Sequence, residues 1–300
     1  MAQQEKISHL EPSPVDGIIR QVMGMKAMKR IAGLVLFLLA TVTFCWWQNN
    51  GLMVTRVDYV SAEIPGEFRD YRIAQVSDLH NKEFGKGNAR LLDKLKKLQP
   101  DIIVVTGDLI DSGNTNIDVA VSCVRQMADI APVYFVSGNH EFNSGQYAAL
   151  KVELAAAGAQ VLDNAGVILK REGEQIALLG LADPAFQDYD SGFAKELADL
   201  ADAYPVMFTI LLSHRPEKIE VYASFGIDLV FAGHAHGGQF RLPFLGGLVA
   251  PNQGLFPKYT SGLYQLENTS MVVSRGLGNS IIPLRLFNRP ELVLVVLTGK

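Results

Sequence analysis

Short apolar runs alternate with segments of helical spacing along most of the chain. The run IIVVT, residues 102–106, is a continuous β-branched segment, as expected of a strand that is buried on both faces. Residues 88–98 carry leucines at positions 91, 92, 95 and 98, which is the spacing of an amphipathic helix. Similar patterns predict strands at 71–76, 133–136, 167–169, 176–181, 208–212, 229–231 and 292–297, and helices at 117–127 and 144–157, the second with Ser144 as its N-cap. Strands that alternate with helices predict a layered α/β core.

The N-terminal part of the chain has a different pattern. Residues 31–47 are almost entirely apolar, and no charged residue occurs from 31 to 55. A membrane-spanning helix needs about 20 apolar residues, and Trp46 and Trp47 lie where an interfacial aromatic belt is expected. We predict a transmembrane span or signal anchor at 31–54, after a loose cytoplasmic tail at 1–30. A cleaved signal peptide and a buried core helix are the alternatives, although no A-x-A-like cleavage site follows the span.

The basic residues around the span bear on its orientation. Four precede it and three follow it at a similar distance: Arg20, Lys26, Lys29 and Arg30, then Arg56, Arg69 and Arg72. The positive-inside rule therefore favours, by a small margin, a cytoplasmic N-terminus and an exported C-terminal domain.

Composition narrows the class of protein. The chain has 300 residues, of which 48% are hydrophobic and 19% charged, so it is neither disordered nor collagenous. Its two cysteines, Cys45 and Cys123, are too few for a cysteine-rich zinc or iron–sulfur site or a disulfide framework. The net charge is −4, and because residues 1–30 carry +2, residues 56–300 carry −6. No nucleic-acid partner is expected, since backbone binding needs clusters of lysine and arginine.

Polar side chains that bind metals follow five of the predicted strands. The segments are Ser77-Asp78-Leu79-His80, Gly107-Asp108-Leu109-Ile110-Asp111, Gly138-Asn139-His140-Glu141, Ser213-His214 and Gly233-His234-Ala235-His236. Open α/β sheets bind ligands outside the carboxyl ends of their strands, so we expect these segments to meet. Five of the six histidines belong to them.

Two adjacent metal ions are the simplest explanation of this set. In D-x-H and H-x-H the two side chains project the same way from an extended segment, so that each pair can bind one ion. Oxygen and imidazole ligands without thiolates suit Mn, Fe or Zn. Seven candidate ligands are too many for one tetrahedral site and suit two ions that share a carboxylate. They are Asp78, His80, Asp108, Asn139, His214, His234 and His236.

Taken in order, these motifs resemble those of the calcineurin-like metallophosphoesterases, over roughly residues 70–298. The segments Gly233 to Pro243, Ser213 to Pro216 and Ser274 to Gly278 resemble in particular the bacterial membrane-anchored YaeI-type phosphodiesterases. The resemblance implies an α/β fold with a β-sandwich of two mixed sheets flanked by helices. Here that domain would occupy residues 55–300, after one transmembrane helix that crosses the bacterial inner membrane once.

The resemblance also implies a role for each site residue. Asp78, His80 and His236 would hold a first divalent ion, Asn139, His214 and His234 a second, and Asp108 would bridge both. His140 would contact the phosphate and protonate the leaving group. Asp111 would orient His140, or it is an exposed carboxylate at a helix start. The implied reaction is hydrolysis of a phosphoester, foremost a phosphodiester, by a metal-bridged hydroxide.

The sequence leaves the substrate and the oligomeric state open. Residues 240–259 form an apolar, Gly/Pro-rich loop that either packs on the domain's own core or meets an acyl-bearing, membrane-bound substrate. In the second case the phosphate would meet Arg241 or Lys258, and the acyl region would meet Phe240, Phe244, Leu245 and Phe256.

Two other functions are weighed against the phosphodiesterase. Some relatives cleave the pyrophosphate of UDP-diacylglucosamine in lipid A synthesis, on the cytoplasmic side, which conflicts with export. A non-catalytic, membrane-tethered metal-binding module is the other alternative, and the complete ligand set together with His140 argues against it.

Overall fold

The computed structural model describes residues 14–187, 191–204, 207–242, 244–279 and 282–299. The chain divides into two compact units, Met1–Trp46 and Trp47–Lys300. The α-helices of the described residues are α1 Pro14–Asn50, α2 Ala89–Leu98, α3 Ile117–Ala128, α4 Asn139–Asn143, α5 Tyr147–Ala156, α6 Ser191–Ala203 and α7 Ile219–Ser224.

Helix α1 supplies the described part of the first unit, and its last turn belongs to the second. Its stretch Met25–Asn50 has the length and composition to cross a membrane, and the most apolar part of it is almost entirely exposed. The prediction of an N-terminal apolar helix is confirmed, but its bounds differ. The helix ends at Asn50 rather than reaching Val54, because Gly51 follows it and the first strand begins at Met53.

The predicted loose tail is also corrected in part. Residues 14–30 are helical, since no proline interrupts the chain after Pro14 at the helix start. Residues 1–13 of that tail lie outside the described residues.

Two six-stranded sheets form the second unit. The first contains β1 Met53–Ser61, β2 Arg72–Val76, β3 Ile102–Thr106, β4 Val133–Val136, β5 Ala159–Val161 and β16 Glu291–Gly299. The second contains β6 Ala165–Arg171, β7 Glu174–Gly180, β8 Thr209–Leu212, β9 Leu229–Ala232, β14 Gly262–Leu266 and β15 Thr269–Val273. Two short hairpins lie between β9 and β14: β10 Arg241–Leu242 with β11 Gly246–Gly247, and β12 Val249–Ala250 with β13 Gly254–Leu255.

Both sheets are mixed. The strand order of the first is β1–β16–β2–β3–β4–β5, in which β16 runs parallel to β1 and antiparallel to β2. The order of the second is β14–β15–β9–β8–β7–β6, in which β15, β9, β8 and β7 are parallel. In the first sheet β2, β3 and β4 are parallel, so their carboxyl ends share one edge.

Alternating side chains explain how the layers pack. Ile73 and Val104 face the second sheet, where they share one core with Leu178 and Phe231. Their neighbours along the strands face the other way, toward α2, α3 and α5. A third core lies between the second sheet and helices α6 and α7. Because strand side chains alternate, central strands buried on both faces read as continuous apolar runs.

The predicted α/β sandwich is confirmed, and the local differences have physical causes. The strands predicted at 102–106 and 133–136 are β3 and β4 without change. The helix predicted at 144–157 is α5, which begins only at Tyr147, because Gly145 adopts a positive φ of 65° between α5 and the separate, unpredicted helix α4. Ser144 is therefore the C-cap of α4 and not an N-cap. Four sheet strands, β1, β5, β14 and β15, were not predicted.

Candidate metal centre

The loops that follow β2, β3, β8 and β9 are joined by backbone hydrogen bonds. The amide of Asp78 donates to the Gly107 carbonyl at 3.0 Å, and the amide of His80 donates to the Asp108 carbonyl at 3.0 Å. In the second sheet the amide of Gly233 donates to the His214 carbonyl at 3.1 Å, and the amide of His234 donates to Asp78 Oδ1 of the first sheet at 3.0 Å. These bonds bring the polar residues of several strand ends into one buried cluster.

Left-handed backbone is concentrated in this cluster. Five of the seven predicted ligands have φ between 47° and 64°: Asp78, His80, Asp108, His234 and His236. Few non-glycine residues adopt such angles, and their accumulation marks a functional site. The side chains of D-x-H and H-x-H do converge, but through these turns. Our expectation that they project from extended segments was wrong.

Gly107 shows how closely the loops approach each other. Its φ is 84°, and a Cβ at this position would lie 2.6 Å from His214 Nδ1 and 2.7 Å from the Gly138 backbone. Only glycine combines this backbone conformation with so close an approach.

Two groups of ligand atoms can each hold a metal ion, and Asp108 belongs to both. In the group of Asp78, His80, Asp108 and His236, the ligand atoms lie within 4.8 Å of one another. His236 Nε2 is 3.4 Å from Asp78 Oδ1 and 3.2 Å from His80 Nε2. Imidazole and carboxylate atoms collected in this way suit a divalent ion such as Mn, Fe or Zn.

The second group contains Asp108, His214 and His234. His214 Nε2 lies 3.2 Å from Asp108 Oδ2 and 3.1 Å from His234 Nδ1. Asn139 begins helix α4 and lines the same cavity. Its Oδ1 atom is buried and accepts no hydrogen bond from any described residue. A buried oxygen without a hydrogen-bond donor is suited to bind a cation.

The charges of the cluster fit cations. Burial raises the pKa of Asp78. Burial acts on Asp108 in the same direction, but nearby His214 and His80 lower its pKa well below the usual range. Burial lowers the pKa values of His234 and His236 well below normal, so these rings are neutral and able to ligate. Burial acts on His214 in the same direction, but the nearby carboxylates, Asp108 first among them, outweigh it and raise the pKa of His214 to about 10. The buried carboxylates therefore call for compensating positive charge, which a proton on His214 or divalent ions provide.

Glu141 holds two of the loops together. Its carboxylate is fully buried and accepts backbone hydrogen bonds from Gly138 at 2.7 Å, Asp108 at 2.8 Å, Leu109 at 2.8 Å and Ile110 at 3.2 Å. One side chain therefore fixes the loop after β3 against the start of α4. Sequence reasoning singled out no role for it, because its partners are backbone amides that carry no residue signature.

His140 is half-buried in the cavity wall, and its tautomer follows from its partners. The backbone amide of Ser112 donates to His140 Nδ1 at 3.0 Å, so Nδ1 is an acceptor and the neutral ring carries its proton on Nε2. Asp111 lies 3.9 Å from His140 Nδ1 and 3.5 Å from His80 Nδ1. The hydrogen bond with His80 is the first cause that lowers the pKa of Asp111 to about 2. Asp111 is thus nearer to His80 than to the ring it was predicted to orient.

Arg215 is a further polar residue of the site. Its guanidinium is buried and forms a two-point ion pair with Asp183, at 2.5 Å and 2.9 Å. Its Nη1 atom lies 2.8 Å from His234 Nε2 and 2.7 Å from Asn252 Oδ1. The sequence drew attention to Arg215 because it follows His214 in the SHRP segment. Asp183 and Asn252 belong to no motif, so nothing in the sequence indicated their role.

A cavity of about 240 Å³ opens between these side chains. It is lined by Asp108, Asn139, His140, Asn143, Ala185, Arg215, His234, His236, Pro251 and Asn252. The apolar loop 240–259 therefore contributes directly to its wall. Arg241 bonds to the Gly237 carbonyl and the Thr260 hydroxyl, and Lys258 stacks over Tyr259.

Comparisons with known proteins bear on this site. A family model described as calcineurin-like phosphoesterase matches residues 71–238. Metallophosphoesterase YkuE of Bacillus subtilis is 31% identical over 242 residues, covering 79% of this chain and 82% of that protein. Phosphodiesterase YaeI of Escherichia coli is 29% identical over 234 residues, covering 76% and 82%.

A membrane protein and a solved structure are also similar. A transmembrane protein with metallophosphoesterase domain from Bos taurus is 29% identical over 261 residues. The alignment covers 81% of this chain but only 56% of that protein. A dimetal phosphatase from Danio rerio aligns with a TM-score of 0.46 at 12% identity, covering 77% of this chain and 93% of that one.

Proposed function

The chain belongs to the calcineurin-like metallophosphoesterases, and from this premise we propose that it is a phosphodiesterase that works with two divalent metal ions. The observation that carries the proposal is the pair of ligand groups that share Asp108. A single shared carboxylate between two sets of imidazoles is the arrangement that a dinuclear centre requires.

We assign the ligands as follows. Asp78, His80 and His236 would hold one ion, while His214, His234 and Asn139 would hold the other, and Asp108 would serve both. The assignment is supported by the distances within each group and by the buried, unpartnered oxygen of Asn139. When bound, such ions polarise phosphoryl oxygens and lower the pKa of a water molecule at the site.

The protein's own side chains position the reaction. His140 lines the cavity with Nε2 free of the Ser112 contact. In its imidazolium form it donates the Nε2 proton to the oxygen of the leaving group and is left as a neutral ring. Arg215 lines the same cavity as a cation, fixed by Asp183, and attracts the phosphate. Asp111 steadies His80 rather than His140 in this proposal.

A second candidate reaction is hydrolysis of the pyrophosphate of UDP-diacylglucosamine. It is favoured by the apolar helix α1, which would keep the site at a bilayer where a lipid nucleotide resides. Rates on this lipid nucleotide and on bis(p-nitrophenyl) phosphate separate the two. Activity confined to the small ester removes the lipid candidate.

The side of the membrane on which the domain lies limits the choice of substrate. We propose a short N-terminal tail, a single span within residues 31–50, and an exported domain that follows it. A C-terminal fusion to an export-dependent reporter and to a cytoplasm-dependent one tests this orientation. Activity of the cytoplasmic reporter alone would reverse it.

The central test is metal content together with turnover in the full-length protein. We expect Asp108→Asn to lose bound metal by mass spectrometry and to lose most hydrolysis of bis(p-nitrophenyl) phosphate. Asp129→Asn, an exposed carboxylate at the end of α3, is the matched control. EDTA should abolish wild-type activity, and added Mn²⁺ should restore it. Wild-type metal content and turnover in Asp108→Asn would show that the site is assigned wrongly.

A further inference from the structure

Large apolar side chains are exposed on the two short hairpins that follow His236. Phe244 is fully exposed and Leu255 is 71% exposed. We call this set the hairpin surface, and it consists of Leu242, Phe244, Leu245, Leu255 and Phe256. An apolar cluster of this kind on a folded domain marks a contact with a partner or a membrane.

The backbone of the hairpin surface is also unusual. Phe244 has a φ of 68° and Phe256 a φ of 52°. Bulky side chains seldom adopt left-handed backbone, which glycine and asparagine occupy at lower cost. Because the left-handed backbone of these two phenylalanines is costly and their rings are exposed, we expect the rings to have a function.

The hairpin surface adjoins the proposed catalytic cavity. Pro251 and Asn252, in the turn between β12 and β13, line that cavity. Asn252 Oδ1 lies 2.9 Å from His234 Nε2. A partner or membrane that contacts the hairpin surface would therefore lie beside the opening of the cavity, through which a substrate must enter.

The last turn of α1 is hydrogen-bonded to the loop that follows β2 and to the segment that precedes β16. Asn49 Oδ1 accepts hydrogen bonds from Asn279 Nδ2 and the Arg285 amide, both at 3.1 Å. The Asn49 carbonyl also accepts one from Lys82, two residues after His80. Only Gly51 and Leu52 separate the end of α1 from β1. Within the second unit, Asn49 thus lies beside the loop that carries His80.

From these observations we propose that the hairpin surface inserts into the surface of a lipid bilayer. Its charge is suited to anionic lipid headgroups, because residues 240–260 contain Arg241 and Lys258 and no acidic residue. Residues 56–300 as a whole carry −6, so this segment departs from the rest of the domain. Apolar tips flanked by basic residues are typical of interfacial membrane contacts.

Fluorescent labels in vesicles test this directly. The full-length protein with Cys45→Ala is reconstituted into vesicles of phosphatidylethanolamine and phosphatidylglycerol, and Cys123 stays buried and unlabelled. An environment-sensitive label is placed at Phe244→Cys or Leu255→Cys, with Val152→Cys on α5 as an equally exposed control. We expect blue-shifted emission and quenching by nitroxide lipids at the two hairpin sites, at a depth of about 5–10 Å in the headgroup region.

The outcomes are distinct. Quenching by aqueous iodide at both hairpin sites as strong as at the Val152 control overturns the proposal. Protection that grows with the protein-to-lipid ratio overturns it as well, since it indicates contact between copies of the chain. If Phe244→Cys does not fold, Leu245→Cys replaces it. None of these readouts uses catalysis, so failure of the proposed reaction and failure of membrane contact are told apart.

Discussion

Substitution of Glu141 by glutamine is the sharpest test of how the site is held. The change keeps the size of the side chain but replaces one carboxylate oxygen by an NH₂ group. Each oxygen accepts two backbone amides, so either orientation of the new amide places a donor against two N–H groups. Two hydrogen bonds to a buried charged group are lost.

The magnitude follows from those two bonds. A hydrogen bond to a charged group contributes about 1.5–3 kcal/mol, so Glu141→Gln should lower the free energy of unfolding by roughly 3–6 kcal/mol. At about 2–4 °C per kcal/mol for a domain of this size, the Tm should fall by on the order of 10 °C. The loop that carries Asp108 should also lose its register with the start of α4, which weakens metal binding.

The assay is a thermal melt of the metal-loaded, full-length protein at pH 8. Burial raises the pKa of Glu141 to about 7, so at this pH most of the carboxylate is ionised. Because a raised pKa means that the folded state disfavours the charge, glutamine also removes part of that cost, and the fall in stability belongs to the lower end of the expected range. Glu153→Gln, at an exposed position of α5, removes the same charge without a buried partner and should change the Tm little. If Glu141→Gln melts within about 2 °C of Glu153→Gln, a difference below 1 kcal/mol by the same conversion, the carboxylate does not hold the loops.

Three further predictions concern single residues. His140→Ala should reduce kcat on bis(p-nitrophenyl) phosphate by about 10²–10⁴ while metal content stays at the wild-type level, and an unchanged kcat would exclude it as the proton donor. Gly107→Ala should lose metal by mass spectrometry, because its new Cβ meets His214, whereas Gly87→Ala has the same left-handed backbone with open space around it and should keep its metal. Cys123, whose pKa is raised to about 12 by burial, should resist iodoacetamide at pH 8 in the folded protein and react in guanidinium, and labelling of the native state would contradict this.

The sequence predicted well those parts of the fold that are buried on both faces. Strands β3 and β4 match their predicted bounds because every neighbour of a central strand is apolar, which leaves a continuous run. Strands β1 and β14 were missed because their exposed and half-buried residues alternate, so their apolar signal is diluted by polar side chains.

The site was predicted as a set of residues but not as a geometry. Five strand ends carried the ligand types, and their convergence follows from the parallel order of the strands. The left-handed turns at Asp78 and His234 have no sequence signature, because asparagine or glycine is the usual sign of such turns. Asn252 and Arg215 are 37 positions apart in sequence. Hydrophobic periodicity predicts helices and strands but not contacts between side chains so far apart, so this contact was not predicted.

The pairing of β1 with β16 has a consequence for how the protein is made. Every residue of β1 from Met53 to Ser61 is paired with one of the last strand, and β16 also separates β1 from β2. At about 5–20 residues per second, the ribosome needs on the order of 10–50 s to deliver β16 after β1 has emerged. For that whole interval the first sheet lacks the strand that joins β1 to β2, and the exposed edge of β2 is open to mispairing. Synthesis must therefore reach β16 before the domain can close, so a truncation that removes this strand should leave the domain unfolded.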